Sequence, residues 1–270
     1  MDGRPALAAV TGPLAEPDRV AFAGCWHGRT RYARTAIRHA ADQGAQVIVH
    51  TGDLGVWVRS AAMEALSMAL HQHGVRMLWV DGNHDDHPGL AHIPPDVHGL
   101  HPVADQIWHL PRGYRWTWSR LRFLALGGAH SIDRRLRTPG QDWWPQEAIT
   151  TTQALAAISQ GPADVMVTHD CPSGVTPAGL VSPLPDAWVP EVPAADAHRA
   201  LLGSVVDEVG PAWLIHGHYH ARYTAHRTGP ARTCRVEGLS HWRDSLTNNI
   251  AVWDLAEMRR VTQAAGVEMS

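Results

Sequence analysis

The chain has 270 residues, 44% of them hydrophobic, and a formal net charge of −3. That is enough apolar material to bury a sizeable core in one large domain or two small ones, and it excludes wholesale disorder. All 23 basic residues are arginine, which removes a P-loop lysine, a Schiff-base lysine and a lysine general base; the lack of any basic or acidic block speaks against strong duplex nucleic-acid or anionic-membrane binding.

Three cysteines, Cys25, Cys171 and Cys234, give no disulfide framework. Residues 1–18, with Pro5, Pro13 and Pro17, predict a flexible arm and lack the basic start and apolar core of a signal peptide. No apolar stretch reaches the roughly 20 residues of a membrane span. A cytoplasmic protein is the expectation.

From Val20 the pattern is β-α-β-α-β. Val20–Ala23, Val47–Val49 and Met77–Val80 read as buried strands. Thr30–Gln43, ending at Gly44, and Ser60–His73, closed by Gly74, read as the intervening helices. Such a unit implies a parallel sheet with right-handed crossovers, whose ligands sit at the strands' carboxyl ends. Residues 88–111 read as mostly irregular. Tyr114–Trp118 and Leu121–Leu126 read as a hairpin, and Pro145 starts a helix to about Ser159. Val165–Val167 is a strand, 171–194 a long Pro-rich loop of the kind that binds or covers a ligand, and Ala195–Val209 a helix. Trp213–Ile215 is a strand, and 222–254 reads as several short strands. The expected organisation is an arm (1–18), one domain (19–258) with two facing sheets and outer helices, and a C-terminal tail (259–270).

The chemistry-bearing residues follow these strands. Gly24-Cys25-Trp26-His27, Gly52-Asp53, Gly82-Asn83-His84-Asp85, Thr168-His169-Asp170 and Gly217-His218-Tyr219-His220 each close an apolar run. His, Asp and Asn on separate strand ends can form the ligand shell of divalent metals. A carboxylate such as Asp53 can bridge two ions, and two ions about 3.5–4 Å apart suit phosphate-ester hydrolysis. His218 and His220 alternate on what reads as an extended segment, so they project to opposite sides. His84 can protonate a leaving oxygen, with Asp85 orienting its ring.

Taken together and in this order, the five loops resemble the calcineurin-like metallophosphoesterase superfamily, over about Val20 to Asp254. The resemblance implies a four-layer α/β/β/α sandwich. It implies that His27, Asp53 and His220 hold a first metal, that Asp53, Asn83, His169 and His218 hold a second, and that His84 and Asp85 form a catalytic pair. Asn83 and His84 then also face the substrate. One position departs from the pattern: where the family has Asp, this chain has Cys25. A thiolate there is either a ligand, which suits zinc or iron better than manganese, or a buried thiol that binds nothing.

Other candidates carry two readings. His87, His92, His98, His101 and His109 read as solvated or packing residues, and His50 and His216 as structural. His130 lies in a loop expected near the site. Arg134, Arg135 and Arg137 either hold a phosphate or lie on a solvated loop. Trp143 and Trp144 either stack a base or pack in the core. Of these, His130, Arg134 and Arg137 are taken as substrate contacts.

The expected function is metal-dependent hydrolysis of a small phosphoester by metal-activated water, using two divalent ions (Zn, Fe or Mn). The expected substrate is a nucleotide or cyclic nucleotide diester. The alternatives are a phosphomonoesterase or protein phosphatase, a nucleic-acid end-processing nuclease, and a metal-binding module without catalysis. Metal identity and oligomeric state are not fixed by the sequence.

Overall fold

The computed structural model describes residues 12–180 and 182–267. The chain lays down β1 (Arg19–Ala23), α1 (Thr30–Asp42), β2 (Val47–His50), α2 (Ala61–His73) and β3 (Arg76–Trp79), then α3 (His87–Ala91), β4 (His101–Ala104) and β5 (Ile107–His109). It continues with β6 (Arg115–Trp118), β7 (Leu121–Leu126), α4 (Thr151–Ser159), β8 (Val165–Thr168), α5 (Val192–Val209) and β9 (Trp213–His216). It ends with β10 (Tyr223–Thr228), β11 (Thr233–Gly238), α6 (Leu246–Asn249), β12 (Ile250–Asp254) and α7 (Leu255–Val267).

The strands form two six-stranded mixed sheets, ordered β12-β1-β2-β3-β5-β4 and β10-β11-β9-β8-β7-β6. Period-two alternation explains how they stack. Val20, Phe22, Val47, Val49, Leu78 and Val80 of the first sheet meet Phe123, Ala125, Val165, Val167 and Ile215 of the second in one central core. Their alternates Ala21, Ile48, Met77 and Trp79 pack with Ile37, Leu66 and Leu70 of α1 and α2. Leu124, Met166 and Leu214 pack with Ala154, Leu202 and Val206 of α4 and α5 on the other side. Strands buried on both faces read as continuous apolar runs, which is why both sheets were visible in the sequence. The result is the expected four-layer α/β/β/α sandwich.

Local signals place the early helices. Ser60 Oγ accepts from Met63 N at 3.2 Å, and Gly74 ends α2 in the left-handed region at φ 64°.

Several boundaries differ from expectation. Within 88–111, β4 and β5 extend the first sheet, and β5 pairs parallel with β3; each is four residues or fewer, too short for a periodic signal. Pro145 opens a single 3-10 turn to Glu147, and α4 starts separately, with Thr150 and Gln153 forming a capping box. Of the arm, residues 1–11 lie outside the described residues. Residues 12–18 are tied down: Trp118 Nε1 donates to Leu14 O at 2.9 Å and Arg76 Nε to Pro13 O at 2.9 Å. Residues 259–267, expected as tail, continue α7, where the Thr262 hydroxyl is buried and accepts from Trp213 Nε1 at 3.0 Å. No helix among the described residues is long and apolar enough to cross a membrane.

Candidate metal centre and active site

The carboxyl ends of β1, β2, β3, β8 and β9 come together at one edge of the sandwich. The first two loops are laced to each other: Trp26 N and His27 N both donate to Asp53 O at 2.9 Å. Asp53 stands at the middle. Its Oδ2 lies 3.7 Å from His27 Nε2 and its Oδ1 3.3 Å from His169 Nε2, so the two oxygens face different partners. Cys25, His27, Asp53 and His220 each offer a ligand atom, all within 4.8 Å of one another, and Asp53, His169 and His218 form a second such group. His27 Nε2 and His220 Nε2 are 2.9 Å apart. Asn83 Oδ1 joins the second group, 3.1 Å from His169 Nε2.

The backbone is bent to achieve this. His27, Asp53, His218 and His220 have φ of 47°, 54°, 64° and 57°, a left-handed conformation uncommon for non-glycine residues and found where function demands it. His218 and His220 therefore sit on a twisted turn rather than the extended segment expected. They still reach opposite groups. Gly52 and Gly82 must be glycine: a Cβ would lie 2.4 Å from His169 Nδ1 at the first and 2.3 Å from Asp53 Oδ1 at the second.

The supporting bonds fix how each ligand atom is presented. His169 Nδ1 donates to Thr51 O at 2.7 Å, which aims Nε2 at the site, where a bound cation would take the place of its proton. Asn83 Nδ2 donates to Ser131 Oγ at 3.0 Å, which turns the amide oxygen inward. Ser131 in turn donates to Glu147, and Glu147 pairs with Arg137 at 3.1 Å. Neither Ser131 nor Glu147 stood out in the sequence. Ser131 lies on a strand-end loop that did, whereas a lone Glu in a 3-10 turn carries no signal.

Burial tunes the charges. It lowers His27, takes His218 down to about 4 and, with His27 beside it, takes His220 down to about 3, so these rings are neutral, the form that ligates. Burial alone would raise Asp53, but His169, His84 and His27 hold it well below the usual carboxylate range. Burial opposes charge on His169 as well, yet Asp53 raises it to about 9. Burial, with the Asp53 charge, pushes the Cys25 thiol well above its usual value, although it accepts from His218 N at 3.2 Å.

A family model described as calcineurin-like phosphoesterase matches residues 18–222. The chain belongs to that family. Its members act on phosphoric esters, generally with divalent metal ions. Comparison with curated proteins found no match. A solved structure of the protein TT1561 from Thermus thermophilus is 13% identical, with a TM-score of 0.51 over 88% of this chain and 99% of that one, a likeness of fold. A dimetal phosphatase from Danio rerio is 13% identical, with a TM-score of 0.48 over 88% and 92%. An archaeal phosphodiesterase is 14% identical, with a TM-score of 0.35 over 59% and 76%.

Within this calcineurin-like frame, four expected site residues, Asp85, His130, Arg134 and Arg137, meet other partners. Asp85 does not touch the His84 ring. Its carboxylate accepts from Gly82 N, Asp53 N, Gly55 N and Trp79 Nε1 at 2.7, 2.9, 2.8 and 3.2 Å. Burial and the Asp53 charge raise it to about 7 against those donors. It pins the Asp53 and Asn83 loops together instead. His130 turns away to Glu191, Nε2 to Oε2 at 3.0 Å. Arg134 stacks on Trp143 at 4.4 Å and Arg135 Nε donates to Glu191 Oε1 at 3.1 Å, so both arginines stay on the outer loop. Arg137 does approach the site, but its guanidinium is taken up by Ser131, Glu147, Asn83 O and Asp142 O.

Two clefts open beside the cluster. One, of about 430 Å³, is floored by Asp53, Asn83, His218 and His220 and walled by Leu180, Leu184 and Trp188 of the 171–194 loop. The other, of about 260 Å³, runs under Trp57 and Trp144. His84 and Asp133 line both.

Proposed function

We propose that the chain is a two-metal phosphodiesterase acting on a nucleotide. The observation that carries this is Asp53, whose two carboxylate oxygens face two separate groups of ligand atoms. The donor sets fit divalent ions: Cys25, His27, Asp53 and His220 would hold one, and Asp53, Asn83, His169 and His218 the other. Bound there, the ions would acidify water and draw charge from the phosphoryl oxygens. The Cys25 sulfur favours zinc or iron at the first position.

The chain's own residues do the rest. The apolar wall of Leu180, Leu184 and Trp188 offers a surface for a base beside the ligand groups. His84 stands where the two clefts meet and can pass a proton to the departing oxygen. As the water oxygen bonds phosphorus and gives its proton to solvent, the bond from phosphorus to the alcohol breaks and the alcohol keeps the proton from His84. The test is turnover of bis-p-nitrophenyl phosphate, p-nitrophenyl phosphate and cyclic nucleotides with zinc, iron or manganese, alongside metal stoichiometry. Two ions per chain and diester preference are expected. A preference for monoesters, or a single ion, overturns the assignment.

A further inference from the structure

The cleft under Trp57 and Trp144 shares His84 and Asp133 with the cleft walled by Leu180, Leu184 and Trp188 but is otherwise lined by different residues. The two indoles meet edge to face at 5.9 Å. Trp144 is buried at 9% exposure, whereas Trp57 is 54% exposed although it is large and apolar. A half-bare indole opposite a buried one is a platform for a flat or cationic group.

The charges around it select among such groups. Asp85, Asp86, Asp133 and Asp142 line the cleft, and Arg137 is its one arginine. That arginine is buried and largely spent: Ser131 Oγ, Glu147, Asn83 O and Asp142 O engage its two terminal nitrogens. Asp86 is likewise occupied, accepting from Val58 N at 3.0 Å and Gly89 N at 2.9 Å. Asp133, 3.8 Å from Arg137 and 29% exposed, and Asp142 keep a negative field on the cleft. An anion entering here meets carboxylates and a guanidinium whose terminal nitrogens are already engaged. A neutral ring or a cation meets two indoles and a favourable potential.

We propose that the Trp57–Trp144 cleft is the leaving-group subsite, taking an uncharged or cationic aromatic alcohol and rejecting one that carries a further phosphate or carboxylate. This rests on the phosphodiesterase assignment above. His84 lines both clefts, so a phosphorus at the ligand groups can hold its retained half against Leu180, Leu184 and Trp188. Its departing half then lies against the tryptophans, and the His84 proton goes to the oxygen that leaves in that direction. Nucleoside polyphosphates, whose leaving half is itself a phosphate, are poor substrates on this account.

The test uses one nucleotide esterified with aryl alcohols of matched acidity bearing trimethylammonium, nitro or carboxylate groups. Wild type should favour the cationic and neutral esters in kcat/KM. The double variant Asp133→Asn, Asp142→Asn keeps the shape and should shrink the cation-over-anion preference about tenfold, the effect of a charge at several ångströms in partly screened surroundings. Trp57→Leu should raise KM for all aryl esters, with kcat changed less. Calorimetric binding of phenyltrimethylammonium against benzoate, which needs no turnover, should show the same charge preference and lose it in the double variant. Turnover with no charge preference, or a preference the double variant leaves intact, overturns the subsite alone. No turnover of any ester with any metal overturns the phosphodiesterase assignment and the leaving-group role with it.

Discussion

The two groups of ligand atoms share Asp53 and differ in almost everything else. In the group of His169, Asn83 and His218 two members are walled in: His169 is fully buried and Asn83 is 2% exposed. Each of these two is oriented by a second bond, His169 to Thr51 O and Asn83 to Ser131. In the group of Cys25, His27 and His220 the sulfur is buried but both rings lie at the rim. His27 is 22% exposed and His220 is exposed. Its rings are set by left-handed backbone and by stacking, His220 lying parallel on His241 at 4.4 Å. His169 and Asn83 are braced by hydrogen bonds in the protein's interior, whereas His27 and His220 are set by backbone conformation near its surface. The braced group should hold its ion more tightly, because orientation is fixed before binding.

The largest effect tests what the groups share. Asp53→Ala should remove both ions and lower activity by roughly three orders of magnitude or more. Metal analysis after desalting checks it, and an ion retained in full shows that Asp53 is not a common ligand.

Breaking the brace comes next. Ser131→Ala frees the Asn83 amide and should weaken the second ion about 10–100-fold while leaving the first alone. Chelator titration separates the two; equal loss at both would mean the brace supports the whole cluster.

Cys25 sharpens the contrast from the other side. Cys25→Ser should lower occupancy of the first ion only, and Cys25→Asp should shift the preferred metal from zinc toward manganese. Identical stoichiometry in all three proteins makes Cys25 a bystander.

The smallest effect calibrates the others at a distance from both groups. Asp164 accepts from Arg122 Nε and Nη2, each at 2.9 Å. Burial would raise its carboxyl, but the Arg122 bonds outweigh that and lower it from 3.8. A lowered folded-state pKa stabilises above the unfolded value and is lost as pH falls through the folded one. Arg122 is half-exposed, so the pair contributes about 1 kcal/mol. Asp164→Ala should cost a few degrees of Tm at neutral pH, roughly 2–4 °C per kcal/mol at this size, with a smaller deficit below about pH 4. A constant deficit across pH would assign the loss to packing. Metal content should not change.

What the sequence by itself determined was the order of elements and the ligand-bearing loops. Strands buried on both faces are apolar throughout, and each ligand lies within a few residues of such a run, so both are encoded in neighbouring residues. The family resemblance added the pairing of His27 with His220 across 193 positions. Only the tertiary structure decided where Asp85, His130 and Arg137 point. Each has competing partners from distant segments: Asp53 and Gly55 for Asp85, Glu191 for His130, Asn83 O for Arg137. A buried polar group takes whichever donor or acceptor the packed chain brings to it, because leaving it unpaired costs more than any local preference. The same holds for the short strands β4 and β5, which exist because the edge of β3 is there to pair with.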